Sequence, residues 1–169
     1  MSAVIKTATP FVIEEVLVAA LKEIGAEPTL ITLQNLDIHN HLGGLMVGDI
    51  LTNRSDYYGQ QHFRFIDGRW VLRHDSSEMN GRITISSAAQ KTYKRVGEFL
   101  QDVGNAYKDA YQNHLVMLAE QERIRLEEER KQRIEATRQQ AIAKAKAQGY
   151  SVKESRKGGQ IQLVLTRTV

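Results

Sequence analysis

His62-Phe63-Arg64-Phe65-Ile66-Asp67-Gly68-Arg69-Trp70-Val71-Leu72-Arg73 is the strongest hairpin signal in the chain. Two runs rich in aromatic and branched residues flank Asp67-Gly68. An Asp-Gly pair supplies the positive φ angles that a two-residue hairpin turn needs. The runs alternate in polarity, so one face is apolar and the other carries arginine. That pattern predicts an antiparallel hairpin with Phe63, Phe65, Trp70 and Leu72 on the core side and Arg64, Arg69 and Arg73 towards water.

Working outward, the chain before the hairpin reads as strand, helix and a glycine-punctuated sheet region. Val4 to Ala8 is a short β-type run. Thr9 followed by Pro10 is a helix-opening pair, because proline at the first helical position gives up no intrahelical hydrogen bond. Val12, Val16, Ala19, Ala20 and Ile24 recur at helical spacing, Ile13 and Leu17 widen the stripe, and Gly25 is a natural stop. Leu30 to Leu33 reads as a strand. Gly43, Gly44 and Gly48 punctuate a loop or bent strand pair around Leu45-Met46-Val47, and no helix is expected between Thr29 and Ile85. Ile83-Thr84-Ile85 is a further strand candidate.

After Ser86 the character changes. Residues 88–148 hold no proline, and Gly97 and Gly104 are the only glycines. Val96, Phe99, Leu100, Val103, Tyr107, Tyr111, Leu115 and Leu118 fall on one broad helical face, suited to cover a sheet. From Glu120 to Lys146 large apolar residues thin out. Leu118, Leu126, Ile134 and Ile142 are spaced by eight, which drifts by about 80° per step and makes no coiled-coil seam. Charge pairing along the helix replaces apolar patterning: Glu127 with Lys131 and Glu129 with Arg133 at i,i+4, Glu122 with Arg125 and Glu135 with Arg138 at i,i+3. A helix polar nearly all round is a solvated arm or a bridge to another molecule. Gly149 closes it. Tyr150 to Ser155 alternates, Lys157-Gly158-Gly159-Gln160 turns, and Ile161 to Thr166 alternates again.

The expected architecture is α+β: a small, mainly antiparallel sheet packed by an N-terminal helix and by a long helix extending beyond the domain. The expected organisation is a core over residues 1–118, a charged helical extension over 119–148, and a hairpin over 149–169 that returns to the core sheet.

Composition limits the chemistry. The 169 residues contain no cysteine, which removes disulfides, thiolate metal sites and thiol nucleophiles. Net charge is +3, with basic residues set mostly beside acidic ones. That permits nucleic acid as a partner without pointing to it. No apolar run approaches the roughly 20 residues of a membrane span. Residues Met1 to Thr9 lack the layout of a secretory signal. A cytoplasmic protein is expected, or a stromal or host-cytoplasmic one if plastid- or phage-encoded.

Three constellations could carry function. Asp37, His39 and His41 would share a face if their segment were a strand, and carboxylate and imidazole suit zinc or non-haem iron. The same segment also reads as a loop with incidental histidines. His74 beside Asp75 could form an acid–base pair, but no nucleophile in a recognisable turn accompanies it. Gly43-Gly44 and Gly158-Gly159 lack the context of a phosphate loop. Arg64, Arg69 and Arg73 among Phe63, Phe65 and Trp70 resemble a single-strand platform, although the alternation equally suits an apolar core face. Tyr107 and Tyr111 read as core contacts. On the charged helix, Arg125, Leu126, Arg130, Arg133 and Ile134 are the candidate partner-binding residues. No cofactor is expected, and the oligomeric state is open.

The closing stretch, Ala145-Lys146-Ala147-Gln148-Gly149-Tyr150-Ser151-Val152 and then Gly159-Gln160-Ile161-Gln162-Leu163-Val164-Leu165-Thr166-Arg167, resembles the ending of the hypothetical chloroplast open reading frame thirty-five family. That family is uncharacterised and has plastid, cyanobacterial, bacterial and phage members. The likeness extends to the strand and Gly-ended helix from Val4 to Gly25, to the aromatic strand pair from Phe63 to Asp75, and to Asn105-Ala106-Tyr107 through Tyr111. Two features depart from it: Arg167-Thr168-Val169 stands where the family usually has Arg-Trp, and the helix from Glu120 to Lys146 looks inserted. The resemblance implies an accessory role alongside an AAA-type ATPase system. It transfers no catalytic residue. Together the readings lead to a non-catalytic adaptor that binds a protein partner through its charged helix. A nucleic-acid- or ribosome-associated protein is the alternative, and a metal-dependent enzyme the second alternative.

Overall fold

The computed structural model describes residues 3–40, 43–76, 94–157 and 160–167. The strand expected at Ile83-Thr84-Ile85 and the side chain of His41 lie outside them. The chain divides into two compact units, Met1–Leu115 and Val116–Val169.

The first unit is an antiparallel sheet of five strands, β1 (Val4–Ala8), β2 (Thr29–Leu30), β3 (Ile50–Asp56), β4 (Gly59–Ile66) and β5 (Arg69–Asp75), in the order β1-β5-β4-β3-β2. It packs with helix α1 (Glu14–Glu23) and with the first turns of helix α3 (Val96–Ala147), which makes the fold α+β. The central hairpin forms in the expected register, with Phe65 opposite Trp70 and Phe63 opposite Leu72. Asp67 and Gly68 take φ of 51° and 80°, the pair of left-handed values that lets the turn follow the twist of its strands.

Phe63, Trp70 and Leu72 are buried with Ile50 on the sheet face that meets Phe11, Leu17 and Leu21. From α3, Val96, Phe99 and Val103 enter the same core, with Leu100 and Tyr107 partly covered beside them. Their spacing of three and four residues is the sheet-facing stripe expected of this helix. Phe65 differs from expectation. It is 52% exposed, because it stands at the turn end of the hairpin and rests edge-on against Trp70.

Helix α1 starts later than Thr9-Pro10 suggests. Ile13 is the residue before it, and Thr9 is used elsewhere: its hydroxyl donates to the Trp70 carbonyl at 2.6 Å. The free N–H groups of Val12 and Ile13 instead donate to the Tyr107 hydroxyl at 3.2 and 3.0 Å. The helix closes at Gly25 as expected. With φ of 73°, Gly25 lets its own N–H reach the Lys22 carbonyl and that of Ala26 reach Leu21.

The middle of the chain holds the largest departures. The strand expected over Leu30 to Leu33 is the two-residue β2, while β3 passes without a signal in the sequence reading. Asn35 explains the first difference. Its side chain accepts from the Thr32 N–H at 2.7 Å and donates to the Leu30 carbonyl at 3.0 Å, which turns the chain into the short helix α2 (Leu36–His39).

In the second unit α3 continues to Ala147 and is followed by β6 (Tyr150–Lys157) and β7 (Gln160–Arg167). These strands pair only with each other among the described residues, with Val152 opposite Leu165. Pairing across a two-residue connection closes a very short loop, at small entropic cost. The end of α3 has a covered side: Ala145 is buried, Arg138 and Ile142 are half-buried, and Arg138 is bonded to Glu154 of β6.

Candidate functional site

On the face of the sheet opposite the apolar core, the arginines are not turned freely to water. Asp49, at the end of the Gly43–Gly48 loop, is 1% exposed. Its carboxylate accepts from Arg64 Nε at 2.7 Å, from Arg64 Nη2 at 2.6 Å and from the Met46 N–H at 2.8 Å. The Gly44 carbonyl accepts from Arg64 Nη2 at 2.7 Å and from Arg73 Nη1 at 3.1 Å. Arg64 and Arg73 therefore tie the glycine loop to the hairpin. Of the three arginines proposed for nucleic acid, Arg69 is the exposed one. A stacking platform with a basic rim is not what this face presents.

His62 lies in the same cluster, its Nε2 3.6 Å from the Asp49 carboxylate and its Nδ1 3.2 Å from the Gln60 carbonyl. Burial pushes its pKa below the usual 6.5, and the Gln60 carbonyl and the Asp49 charge only partly oppose this. The bond with Asp49 holds the Arg64 guanidinium above its ordinary value, while burial and the nearby Arg64 charge lower Arg73. A cavity of about 290 Å³ borders this cluster at His62, Arg73 and Tyr58. Among the described residues His62 Nε2 and Arg73 Nε have no hydrogen-bond partner, and both atoms are screened from solvent.

Of the three metal candidates, Asp37 and His39 are among the described residues. Asp37 and His39 sit on the single turn α2, where residues two apart diverge by roughly 200°. The shared strand face assumed for them does not exist. Among the described residues no three histidine or acidic side chains are placed to hold one ion. His74 has both ring nitrogens engaged, Nε2 with the Thr7 hydroxyl at 2.8 Å and Nδ1 with the Asp75 backbone carbonyl at 3.0 Å. The Asp75 carboxylate is not its partner in these bonds, so the pair is not arranged for acid–base relay.

What remains is surface on α3. In the first unit an apolar groove of about 480 Å³ runs between Pro10–Ile13 and the helix at Gly104, Tyr107 and Tyr111. Tyr107 is the core contact expected of it, stacked on Phe11 at 4.7 Å between ring centres. Tyr111 is exposed and lines the groove. In the second unit every residue from Val116 to Thr137 is exposed. Val116, Met117, Leu126 and Ile134 are 68%, 61%, 53% and 54% exposed, and nothing described covers them.

The charges of this stretch are largely paired along the helix. Arg125 meets Glu122 at 2.6 Å, Lys131 meets Glu127 at 2.9 Å and Arg138 meets Glu135 at 2.8 Å, as the spacing predicts. Arg123 adds Glu120 at 2.7 Å. Glu120 and Glu127 are held below the usual carboxylate range by the bonds from Arg123 and Lys131, and Glu135 by the bond from the Gln139 amide and then that from Arg138. The expected Glu129–Arg133 pair does not form; Glu129 lies 4.0 Å from Arg125 instead.

No family model, curated protein or solved structure matches the chain. The likeness to the chloroplast open reading frame family therefore stays an expectation. Among the described residues no helix is long and apolar enough to cross a membrane.

Proposed function

We propose that the chain is a non-catalytic accessory protein that docks another protein on the exposed part of α3. The observation that carries this reading is the continuous exposure of residues 116–137, with bulky apolar side chains among ion pairs. Intrahelical pairs let such a segment stay helical in water. They do not explain Leu126 and Ile134, each more than half exposed, which are side chains of the kind an interface buries. The polar cluster on the sheet supports the reading indirectly, because Asp49, Arg64 and Arg73 are occupied in holding a loop. An accessory role beside an ATPase system is the setting that the family likeness adds.

The test is a capture from native extract with the full chain and with a Leu126→Asp/Ile134→Asp variant, after circular dichroism has shown equal helicity. Loss of specific partners in the variant supports docking on α3. An unchanged partner set refutes it. Binding to an oligonucleotide that falls steeply with salt and survives the substitutions would favour the nucleic-acid reading instead.

A further inference from the structure

The exposed stretch of α3 is not uniform around its circumference. Leu126 and Ile134 lie four residues either side of Arg130. At 100° per residue each is turned about 40° from it, in opposite senses. Arg133 is about 60° from Arg130, with Thr137 between them. These residues form one face, and the face carries a particular charge state. Arg123, Arg125, Lys131 and Arg138 are each bonded to a carboxylate of this chain. Arg130 and Arg133 make no such bond among the described residues. Glu127, four-and-three placed between the basic side chains, is bonded to Lys131, and Glu129 leans towards Arg125.

We infer that the face formed by Leu126, Arg130, Arg133 and Ile134 receives an acidic amphipathic helix of a partner protein. This rests on the docking reading above and names the chemistry of its partner. Two exposed aliphatic side chains on one ridge, eight residues and about 12 Å apart along the axis, accept apolar side chains of a partner helix at i and i+7 or i+8 spacing. Two guanidinium groups not bonded to a carboxylate among the described residues, although the Arg130 charge is felt by Glu127, are complemented by Asp or Glu flanking those side chains. A second copy of this chain fits less well. Antiparallel pairing that sets Leu126 against Ile134 places its two-fold axis at Arg130, so two guanidinium groups would oppose each other there. The hairpin leaves this face open: Leu126, Arg130, Arg133 and Ile134 are all exposed, and the covered residues Arg138, Ile142 and Ala145 come later along the helix.

The test uses the full chain with the photo-cross-linking residue p-benzoylphenylalanine at Thr137, on the face, or at Glu128, on the opposite side. Cross-linking in native extract is followed by mass spectrometry of the joined peptides. Adducts at 137 but not 128 are expected. They should map to a segment of net negative charge with apolar residues at helical spacing. An Arg130→Glu/Arg133→Glu version should lower their yield by about tenfold or more. Adducts that map to a neutral or basic segment, or that survive charge reversal, overturn this inference and leave docking on α3 standing. Adducts joining two copies of the chain overturn it in favour of self-association. An absence of adducts at both positions overturns the docking reading as well.

Discussion

Replacing Asp49 by Asn tests whether the polar cluster holds the fold together. The substitution preserves side-chain volume and removes one charge. In the native protein that carboxylate is 2% exposed and faces Arg64, whose side chain is 18% exposed, at 2.6 Å. It also accepts the Met46 N–H that starts the turn into β3. At an effective dielectric constant near 20, unit charges 4 Å apart attract by about 4 kcal/mol, against about 1 kcal/mol in bulk water. Removing one partner leaves the other partly buried and unbalanced, so Asp49→Asn should destabilise the first unit by about 2–4 kcal/mol. Trp70, the single tryptophan and 3% exposed, reports that unfolding by fluorescence in a urea titration. The decisive quantity is the coupling in a double-mutant cycle with Arg64→Gln, expected at about 2 kcal/mol. A coupling below about 0.5 kcal/mol would show that the pair contributes little and that Arg64 is free for another role.

Further outcomes follow from neighbouring geometry. Tyr107→Phe keeps the stack on Phe11 but removes the acceptor of two N–H groups before α1, and should cost about 1 kcal/mol in the same titration; a change within experimental error would refute that capping role. Gly104→Ala should stabilise by about 0.5–1 kcal/mol, because a Cβ there meets nothing within 4 Å and alanine is the better helix former; a loss of stability would mean that the glycine is needed inside this chain. His62 is buried with a lowered pKa, so the unfolded chain takes up its proton first as pH falls. Stability should therefore be constant above the usual 6.5 with respect to this group and decline as pH drops towards the lowered folded value. His62→Gln should flatten that decline, and an unchanged slope between wild type and variant would exclude His62 as its source.

Reading the chain in order reached the features that are written locally. Asp67-Gly68 specified a turn and a register, because only one pairing places Phe63, Trp70 and Leu72 on the same side. The charge spacing of α3 specified three of its ion pairs, because i,i+3 and i,i+4 neighbours meet on any helix. Strand β3 was not legible: Ile50-Leu51-Thr52 reads as a short apolar run that a loop also tolerates, and it becomes a strand by pairing with β2 and β4. The candidate site divided the same way. That Leu126 and Ile134 stand exposed was legible in how few apolar neighbours they have. That Arg130 and Arg133 make no carboxylate bond among the described residues was not, because each glutamate has more than one basic neighbour within reach.

What the amino-acid order alone determined is therefore the hairpin, the helical rod with its internal charge pairing, and the exclusion of thiol chemistry. Each depends on neighbours a few residues apart, whose geometry the backbone imposes. It took the folded chain to show that Arg64 and Arg73 clasp the Gly43–Gly48 loop around Asp49 and that Tyr107 caps a helix nearly a hundred residues earlier in the chain. Those outcomes join groups far apart in sequence. They are chosen by burial and by the cost of leaving a covered charge or N–H without a partner.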